Sequence, residues 1–499
     1  MKHLFQLIKK MNNQEVQYFK QKHLSDAGFL QLFEIIEKHR KKDDGQIEEK
    51  VKEFGFKNLA YLKHILLQKL LEAIVSSRQS TDEQSEILYE LILIKSLREK
   101  KMISLAVKKW ESLYKKCLEK GFATHIQLLL HERWHLSMEE EKFNSFTEYT
   151  DFIEFYLEHS HNYEKLTRIR QLERKSRLLM KKSYFKDEKD NQLLKDLAVN
   201  LKFLSGEMKY FDQEYQILYN AAQSYIHFLQ HNFNDAYFSA RSCFGYLKES
   251  RKSFCRFNEN FTLQFLKYYS DLLFLVNRKE EITELLSTLK KISFSTDYFI
   301  GQQQIIIFLI DNRLAHKEYN YDEVKKLYLE SKNNLDEWLE KCALEWRPVL
   351  LGSISISAYV SGFPQKGLYF LYQYEKSYAK SFRKEILSFF YLFGVLLAYE
   401  SKDYEVFNTT YHKAYMHFYR NPEHYPIFDE IMKPMRKAFE KYDNESRAKI
   451  FEKILKKIEV SGDSGYFQIL FSYFDFPSWF RSKIENLSYV EYKLKYAEK

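Results

Sequence analysis

The stretch that decides the fold runs from Ala398 to Pro422 and reads AYESKDYEVFNTTYHKAYMHFYRNP. The first residues of the stretch have the composition of a helix end. Asp403-Tyr404 is typical of a turn into a second helix, and Asn421-Pro422 is typical of the end of that helix. Small and aromatic residues recur at helical spacing between those two signals, at Phe407, Tyr411 and Ala414. The stretch therefore predicts a helix–turn–helix unit whose second helix turns this face inward.

This order of small and aromatic residues resembles a tetratricopeptide repeat, one residue shorter than the usual unit of about 34 residues. Looser copies recur along the chain at intervals of roughly 35–45 residues, and the resemblance implies an α-solenoid of stacked antiparallel helix pairs. We therefore expect an all-α fold in three parts. These are an N-terminal helical module over 1–80, degenerate repeats over 81–460 and an aromatic-rich helical cap over 461–499.

Apolar periodicity and capping signals predict the individual pairs. They are Ile87–Leu97 with Ile103–Leu118, Leu218–Leu229 with Asp235–Leu247, Phe261–Val276 with Glu280–Ile292, Phe299–Ala315 with Tyr321–Cys342, Leu350–Val360 with Pro364–Lys380, Phe389–Tyr399 with Tyr404–Tyr419, and Ile427–Tyr442 with Ser446–Val460. Asn320-Tyr321-Asp322-Glu323 has the spacing of a capping box, which predicts a helix start at that point.

The composition favours a folded protein with helical packing. Charged residues make up 29% and apolar residues 45%, while only 13 Gly and 6 Pro are available for strand turns and linkers. The 38 Tyr and 42 Phe are too many to line one groove, so most of these rings must pack between helices. The abundance of Lys, Asn, Ile, Phe and Tyr is typical of AT-rich bacterial genomes.

The spacing of the cysteines and the length of the apolar runs indicate in which cellular compartment the protein lies. Four cysteines lie far apart with no metal-ligand spacing, as expected of buried or free thiols in a reducing environment: Cys117, Cys243, Cys255 and Cys342. The N-terminal residues lack the apolar core of a secretory signal, and no uncharged apolar run approaches 18 residues. We therefore expect a cytoplasmic protein with no membrane contact.

An HExxH arrangement occurs at His131-Glu132-Arg133-Trp134-His135. On a helix this spacing puts two histidines on one face as zinc ligands, with the glutamate as general base, and Glu154 follows at the third-ligand spacing of the zinc aminopeptidases it would resemble. However, Arg133 places a charge where that helix is normally uncharged, and the family's strand and glycine motifs have no counterpart. We therefore predict no metal, no cofactor and no catalysis, with a zinc-dependent hydrolase as the alternative.

Charge is segregated in the middle of the chain. Lys165–Lys186 carries nine Lys and Arg against Glu173, whereas Ser137–Glu164 carries eight acidic residues against Lys142. A basic amphipathic helix is therefore predicted, which either binds nucleic acid or an acidic partner, or is neutralised by the acidic stretch packed antiparallel beside it. The candidate basic patch comprises Arg168, Arg170, Arg174, Lys175, Arg177 and Lys181. The total net charge of +9 is modest for a nucleic-acid-binding solenoid.

The resemblance also implies where a partner would lie, because tetratricopeptide-like solenoids bind peptides on a concave surface lined by the first helix of each pair. With the aromatic anchor of each repeat as a phase marker, the implied groove positions are Lys95, Arg98, Gln216, Tyr219, Gln223, Arg313, His316 and Ser357. Their polar, aromatic and basic mixture suits an extended peptide or a carboxylate terminus. We therefore expect a non-catalytic protein- or peptide-binding scaffold, with a nucleic-acid-binding module on the basic helix as a further alternative.

Overall fold

The computed structural model describes the chain except for residues 1, 12, 24–26, 40–43, 57, 79–82, 121, 140–145, 182–187, 207–211, 250–257, 379–383, 422–426, 462–470, 472 and 498–499. Within the described part every regular element is helical, so the all-α prediction is confirmed. The chain divides into two compact units, Met1–Ser160 and His161–Lys499. The domain boundary predicted at residue 80 lies outside the described residues.

In its described residues the first unit contains eight complete helices and the start of a ninth. They are α1 (Lys2–Lys10), α2 (Asn13–Lys22), α3 (Ala27–Lys38), α4 (Asp44–Glu53), α5 (Leu59–Arg78), α6 (Glu83–Glu99), α7 (Ile103–Lys120), α8 (Ala123–Glu139) and α9 (Phe146–Met180), which continues into the second unit. Helices α1 to α5 share one buried core centred on Phe5, Phe19 and Phe33. Burial of these rings supplies the apolar area that holds short helices together.

The second unit is built mainly of helix pairs. Its remaining helices are α10 (Glu188–Phe203), α11 (Asp212–Leu229), α12 (Phe233–Glu249), α13 (Glu259–Leu275), α14 (Lys279–Lys291), α15 (Asp297–Lys317), α16 (Tyr321–Lys341), α17 (Arg347–Val360), α18 (Pro364–Tyr378), α19 (Lys384–Ser401), α20 (Tyr404–Arg420), α21 (Lys433–Phe439), α22 (Asn444–Ser461), α23 (Phe476–Ile484) and α24 (Tyr489–Ala497). The first helices of four consecutive pairs also pack in series, α13 on α15, α15 on α17, and α17 on α19.

The Ala398–Pro422 stretch folds as predicted in its described part. Its inward face is buried, with Phe407, Tyr411 and Ala414 all at or below 7% exposure. Asp403 caps α20 by accepting a hydrogen bond from the Val406 amide at 3.0 Å. The predicted cap of α16 is also confirmed, since the Asn320 side chain accepts from the Glu323 amide at 3.2 Å. Local capping chemistry thus sets both helix starts.

A left-handed residue recurs at the turn inside each of five successive pairs. These residues are His231, Asn277, Tyr319, Gly362 and Lys402, with φ between 56° and 90°. They follow one another at intervals of 46, 42, 43 and 40 residues, so the chain reverses direction by the same backbone device each time. The spacing of these turn residues is regular although four of the five are not glycine.

Polar side chains link each first helix to the next at a similar interval. Four such links, one for each step, are Tyr268 Oη to Ser224 Oγ at 2.7 Å, Arg313 Nη1 to Asp271 Oδ1 at 3.3 Å, Ser357 Oγ to Asn312 Oδ1 at 2.8 Å, and Tyr359 Oη to Glu400 Oε1 at 2.8 Å. The linked residues are 44, 42, 45 and 41 positions apart. We call this series the polar ladder. It fixes the register between consecutive pairs, because a buried polar group must keep its partner.

The C-terminal helix α23 is fastened to the last link of the polar ladder. The Glu400 Oε1 atom accepts from Tyr359 Oη at 2.8 Å, from Trp479 Nε1 at 2.7 Å and contacts Lys483 Nζ at 2.7 Å. Trp479 is completely buried and packs edge-on against Tyr399 and Phe451. Of the aromatic residues in the described part of the predicted cap, Phe474, Phe476 and Trp479 are core residues, whereas Phe471 and Tyr473 are half-buried.

Two local predictions are corrected. The helix predicted over Ile427–Tyr442 is interrupted by a π-helical turn at Phe428–Met432 before α21, because Pro434 has no amide hydrogen to continue the α-helical ladder. The acidic and basic stretches are not antiparallel neighbours, since their described parts from Phe146 to Met180 lie along one continuous helix, α9. Lys182 and Lys186 lie outside the described residues.

Three cysteines, Cys117, Cys243 and Cys342, are buried free thiols, as predicted, and Cys255 lies outside the described residues. Burial raises the pKa of the thiols of Cys117 and Cys342 to about 12, so they are unreactive at neutral pH. Among the described residues no helix combines the length and the apolar character needed to cross a bilayer.

Candidate functional site

The second unit encloses a cavity of about 700 Å³. It is lined by α13, α15, α17 and α19, which are the first helices of four consecutive pairs, together with α24 and the side chains of Phe471, Tyr473, Phe474 and Asp475. Its wall is partly apolar, with Phe274, Ile356 and Phe389 among the lining side chains. A volume of this size accommodates a small ligand or a few residues of a peptide.

The charged lining of this cavity is predominantly basic. Four cationic side chains face two carboxylates, which leaves two positive charges in excess: Lys267, Arg313, Lys317 and Lys493 against Asp271 and Asp475. Asp271 is shared, because Lys267 Nζ lies 2.5 Å from its Oδ2 atom and Arg313 Nη1 lies 3.3 Å from its Oδ1 atom. Lys493 pairs with Asp475 at 2.8 Å. The excess charge therefore lies on the α13–α15 side.

His316 occupies the same side of the cavity, three residues after Arg313 on α15. Its Nε2 atom is buried and has no hydrogen-bond partner among the described residues. Burial lowers the pKa of His316 from 6.5 to about 4, so the ring is neutral at pH 7. A buried ring nitrogen with unused hydrogen-bonding capacity is uncommon, and a ligand atom would satisfy it.

The C-terminal segment closes another wall. The Tyr473 ring lies 5.3 Å from the Phe389 ring and 5.8 Å from the Arg313 guanidinium. Phe474 packs 5.0 Å from Phe393 on α19. Asp475 caps α23 by accepting from the Ser478 amide at 3.0 Å. The chain's own C-terminal residues thus form part of the site.

A second cavity of about 340 Å³ extends the first. Five side chains line both, namely Lys267, Asp271, Val349, Ile386 and Tyr473. We call the two together the inner groove. The second cavity brings in Tyr225 from α11, Gln264 from α13, Arg177 from α9 and Lys181 from the residue after α9. An elongated space lined by successive first helices results.

The predicted groove residues divide into three groups. Arg313 and His316 line the inner groove. Gln216, Tyr219 and Gln223 lie half-buried on α11 and line neither cavity, while Ser357 is fully buried in the polar ladder. Lys95 and Arg98 belong to the first unit, where Lys95 is exposed on α6.

The HERWH residues on α8 form local contacts. The Nε atom of Arg98 lies 2.6 Å from Glu132 Oε1, and the two side chains are only 16% and 9% exposed. The Nε2 atoms of His131 and His135 are 3.3 Å apart. Glu154 does not join them, and the described residues contain no group of three or more His, Cys, Asp or Glu side chains placed to hold a metal ion. The glutamate proposed as a general base is therefore an ion-pair partner.

The candidate basic patch on α9 is largely engaged in ion pairs. Four pairs involve it: Arg168 with Glu164 at 2.6 Å, Arg170 with Glu214 at 2.6 Å, Arg177 with Glu173 at 2.8 Å, and Lys181 with Glu345 at 2.6 Å. Arg174 and Lys175 lie exposed on the same helix. Only one of the four carboxylates, Glu164, comes from the acidic stretch that was expected to neutralise the patch.

Sequence reasoning missed Lys267, Asp271, Lys317 and Tyr473. The sequence contains a signal for Lys267, Asp271 and Lys317. Asp271 and Arg313 occupy equivalent positions on consecutive first helices, and each has a lysine four residues away. Tyr473 gives no such signal, since its position depends on the tertiary path of the C-terminal segment.

We compared the chain with protein-family models, with curated proteins and with solved structures, and none of them matches it.

Proposed function

We propose that this chain is a non-catalytic scaffold whose tetratricopeptide-like helix pairs stack in a solenoid and whose inner groove binds an extended peptide. The observation that carries the proposal is the convergence of four consecutive first helices on one basic, partly apolar cavity. First helices are the elements that line the peptide-binding surface in solenoids of this kind.

Two regularities support the stacked arrangement. The left-handed turn residues recur every 40 to 46 residues, and the polar ladder joins equivalent positions of neighbouring pairs. A one-dimensional array in which each pair contacts its neighbours has these features. The buried free thiols suit a reducing compartment, so we place the scaffold in the cytoplasm.

A peptide suits the inner groove better than a compact ligand does. The smaller cavity is lined by Arg177 and Lys181 and the larger one by Lys493, and both cavities combine apolar with charged lining. An extended chain presents side chains alternately along its length and can use both surfaces.

Selection from a random-peptide display library, followed by fluorescence polarisation with the full chain, tests this proposal. Val349 lines both cavities and is half-buried, so Val349→Trp narrows the groove at its middle. Leu329→Trp adds a ring of the same size at a 50% exposed position of α16 and is the matched control.

We expect Val349→Trp to weaken binding of selected peptides by at least about tenfold, which corresponds to about 1.4 kcal/mol, and Leu329→Trp to change it less than about twofold. Circular dichroism melting of both variants checks that they remain folded. Equal affinity of wild type and Val349→Trp for every selected peptide would refute the inner groove as the binding site.

A further inference from the structure

The excess charge of the inner groove is concentrated around one aromatic ring. The Arg313 guanidinium lies 4.3 Å and the Lys317 Nζ atom 5.5 Å from the centre of the Phe274 ring. Lys267 and Arg313 share the single carboxylate of Asp271. Together with Lys317, this side of the groove carries three cations and one carboxylate, which gives a net charge of +2.

Lys317 has no carboxylate in ion-pair contact within the described part of the chain. Its ammonium donates to Phe274 O at 3.3 Å and to Asn277 Oδ1 at 3.0 Å, and both acceptors are neutral. Partial burial and the positive charge of Arg313, one helical turn away, lower the pKa of Lys317. Like charges four residues apart on a helix repel each other, so an anion between them would relieve this repulsion.

Neutral His316 completes the arrangement. It adds a hydrogen-bonding nitrogen between Arg313 and Lys317 in the sequence without adding a further positive charge. A guanidinium offers a planar pair of donors and an ammonium offers a point charge, and together they are the usual protein ligands of a phosphoryl group. Phe274, Phe389 and Phe390 supply an apolar wall for the carbon atoms that carry such a group.

We propose that the Arg313–His316–Lys317 side of the inner groove binds the dianionic phosphate monoester of a phosphorylated peptide. This inference rests on the proposed function, whose ligand it specifies. A phosphate monoester carries about −1.5 to −2 charges at pH 7, which matches the local excess of +2. A carboxylate carries one charge and would leave the site positive.

Isothermal titration calorimetry of the full chain with three small probes tests the charge preference. Phenyl phosphate is an aromatic dianion, benzoate is the aromatic monoanion of similar size, and inorganic phosphate lacks the apolar part. We expect phenyl phosphate to bind at least about tenfold more tightly than either of the others.

Benzoate binding as tightly as phenyl phosphate would overturn the assignment in favour of a carboxylate, and no binding of phenyl phosphate would overturn it altogether. Equal affinity for inorganic phosphate would point to a free-anion site and not to a group carried on a peptide.

Two variants locate the site. Lys317→Gln removes the exposed cation and should weaken phenyl phosphate binding at least about tenfold, whereas Lys332→Gln, at an exposed position of α16, should change it less than about twofold. Unchanged affinity in Lys317→Gln would contradict the proposal.

A final comparison separates this inference from the proposed function. Library-selected peptides are synthesised with and without one phosphorylated residue and measured against wild type and Val349→Trp. If Val349→Trp abolishes binding but phosphorylation never strengthens it, the scaffold function stands and the phosphoryl site is wrong. If phenyl phosphate binds through Lys317 but no peptide responds to Val349→Trp, the peptide function fails and the phosphoryl group must come from a small molecule.

Discussion

The HERWH sequence on α8 and the Arg313–Lys317 segment on α15 differ in two respects. They differ in whether the sequence shows a known motif, and in whether the side chains already have partners in the fold. On α8 a recognisable motif has its central glutamate in a nearly buried pair with Arg98. On α15 no motif is present, yet Lys317 is bonded to neutral oxygens and the buried Nε2 atom of His316 has no partner among the described residues.

The difference teaches that a functional candidate is better judged by what its side chains already bond to than by their spacing. A charge that the fold has paired stabilises the fold, and removing it leaves its partner buried and unpaired. A charge next to another of the same sign lowers its free energy by binding a counter-ion. The four predictions below test this distinction, from the largest expected effect to the smallest.

Glu132→Ala should destabilise the α6–α8 region by about 3–5 kcal/mol, because it leaves the guanidinium of Arg98 largely buried without its carboxylate. Amide hydrogen exchange of α6 and α8 measures the effect locally, which matters in a chain of two units. Glu154→Ala, at an exposed position of α9, is the control and should change exchange little. Identical protection in Glu132→Ala and wild type would break the comparison, since the ion pair would then not stabilise α8.

Acidification should destabilise the region around α15 through His316. The folded-state pKa of about 4 lies below the unfolded value of 6.5, so the unfolded chain binds a proton that the folded chain excludes. Stability is therefore unaffected above pH 6.5, falls between pH 6.5 and 4, and levels off below that, with a total loss of at most about 3 kcal/mol. Hydrogen exchange of α15 at pH 7 and pH 4.5 should show this loss in wild type and not in His316→Gln. A loss of the same size in both proteins would assign it to other groups.

Arg313→Gln should cost about 1–2 kcal/mol of local stability, because it removes the stacking on Phe274 while Asp271 keeps Lys267 as a partner. Lys317→Gln should change stability by less than about 0.5 kcal/mol, as expected of an exposed lysine. Urea unfolding followed by hydrogen exchange of α13 and α15 compares them. A larger loss in Lys317→Gln than in Arg313→Gln would mean that Lys317 is structural. Because Arg313 contributes to stability, Lys317 is the cleaner position for binding tests.

His135→Ala should leave the zinc content of the purified, untagged protein unchanged, since His131, His135 and Glu154 do not form a three-ligand group. Inductively coupled plasma mass spectrometry of wild type and variant gives the measurement. Stoichiometric zinc in wild type that disappears in His135→Ala would restore the hydrolase hypothesis for α8.

The fold was predictable from sequence wherever local signals were strong. The helix predicted over Tyr321–Cys342 ends within one residue of α16, because Asn320 provides a cap and the apolar face has a clear period. The helices α8 to α10 were not assigned as pairs, and for α9 the reason is that its charged residues leave a narrow apolar stripe. Helix α1 was also missed.

The site was predictable only in part. Arg313 and His316 were predicted from the phase of the expected repeat, which places them on the first helix of a pair, and both line the larger cavity. Their environment does not, because Asp271 and Tyr473 come from segments 42 residues before and 160 residues after Arg313 in the chain. Burial, shared partners and the C-terminal wall arise only when these segments pack together.

Glu400 has a mechanical consequence. Glu400 is the last residue of the polar ladder, where it bonds Tyr359, and it also bonds Trp479 and Lys483 of α23. One carboxylate therefore connects α17, α19 and α23. Under a pulling force applied at Lys499, α23 cannot detach without breaking the two bonds that Trp479 and Lys483 make to Glu400 and extracting a buried indole. The second unit should therefore resist unfolding from this end, and tension on the C terminus should be borne by the helices that line the inner groove.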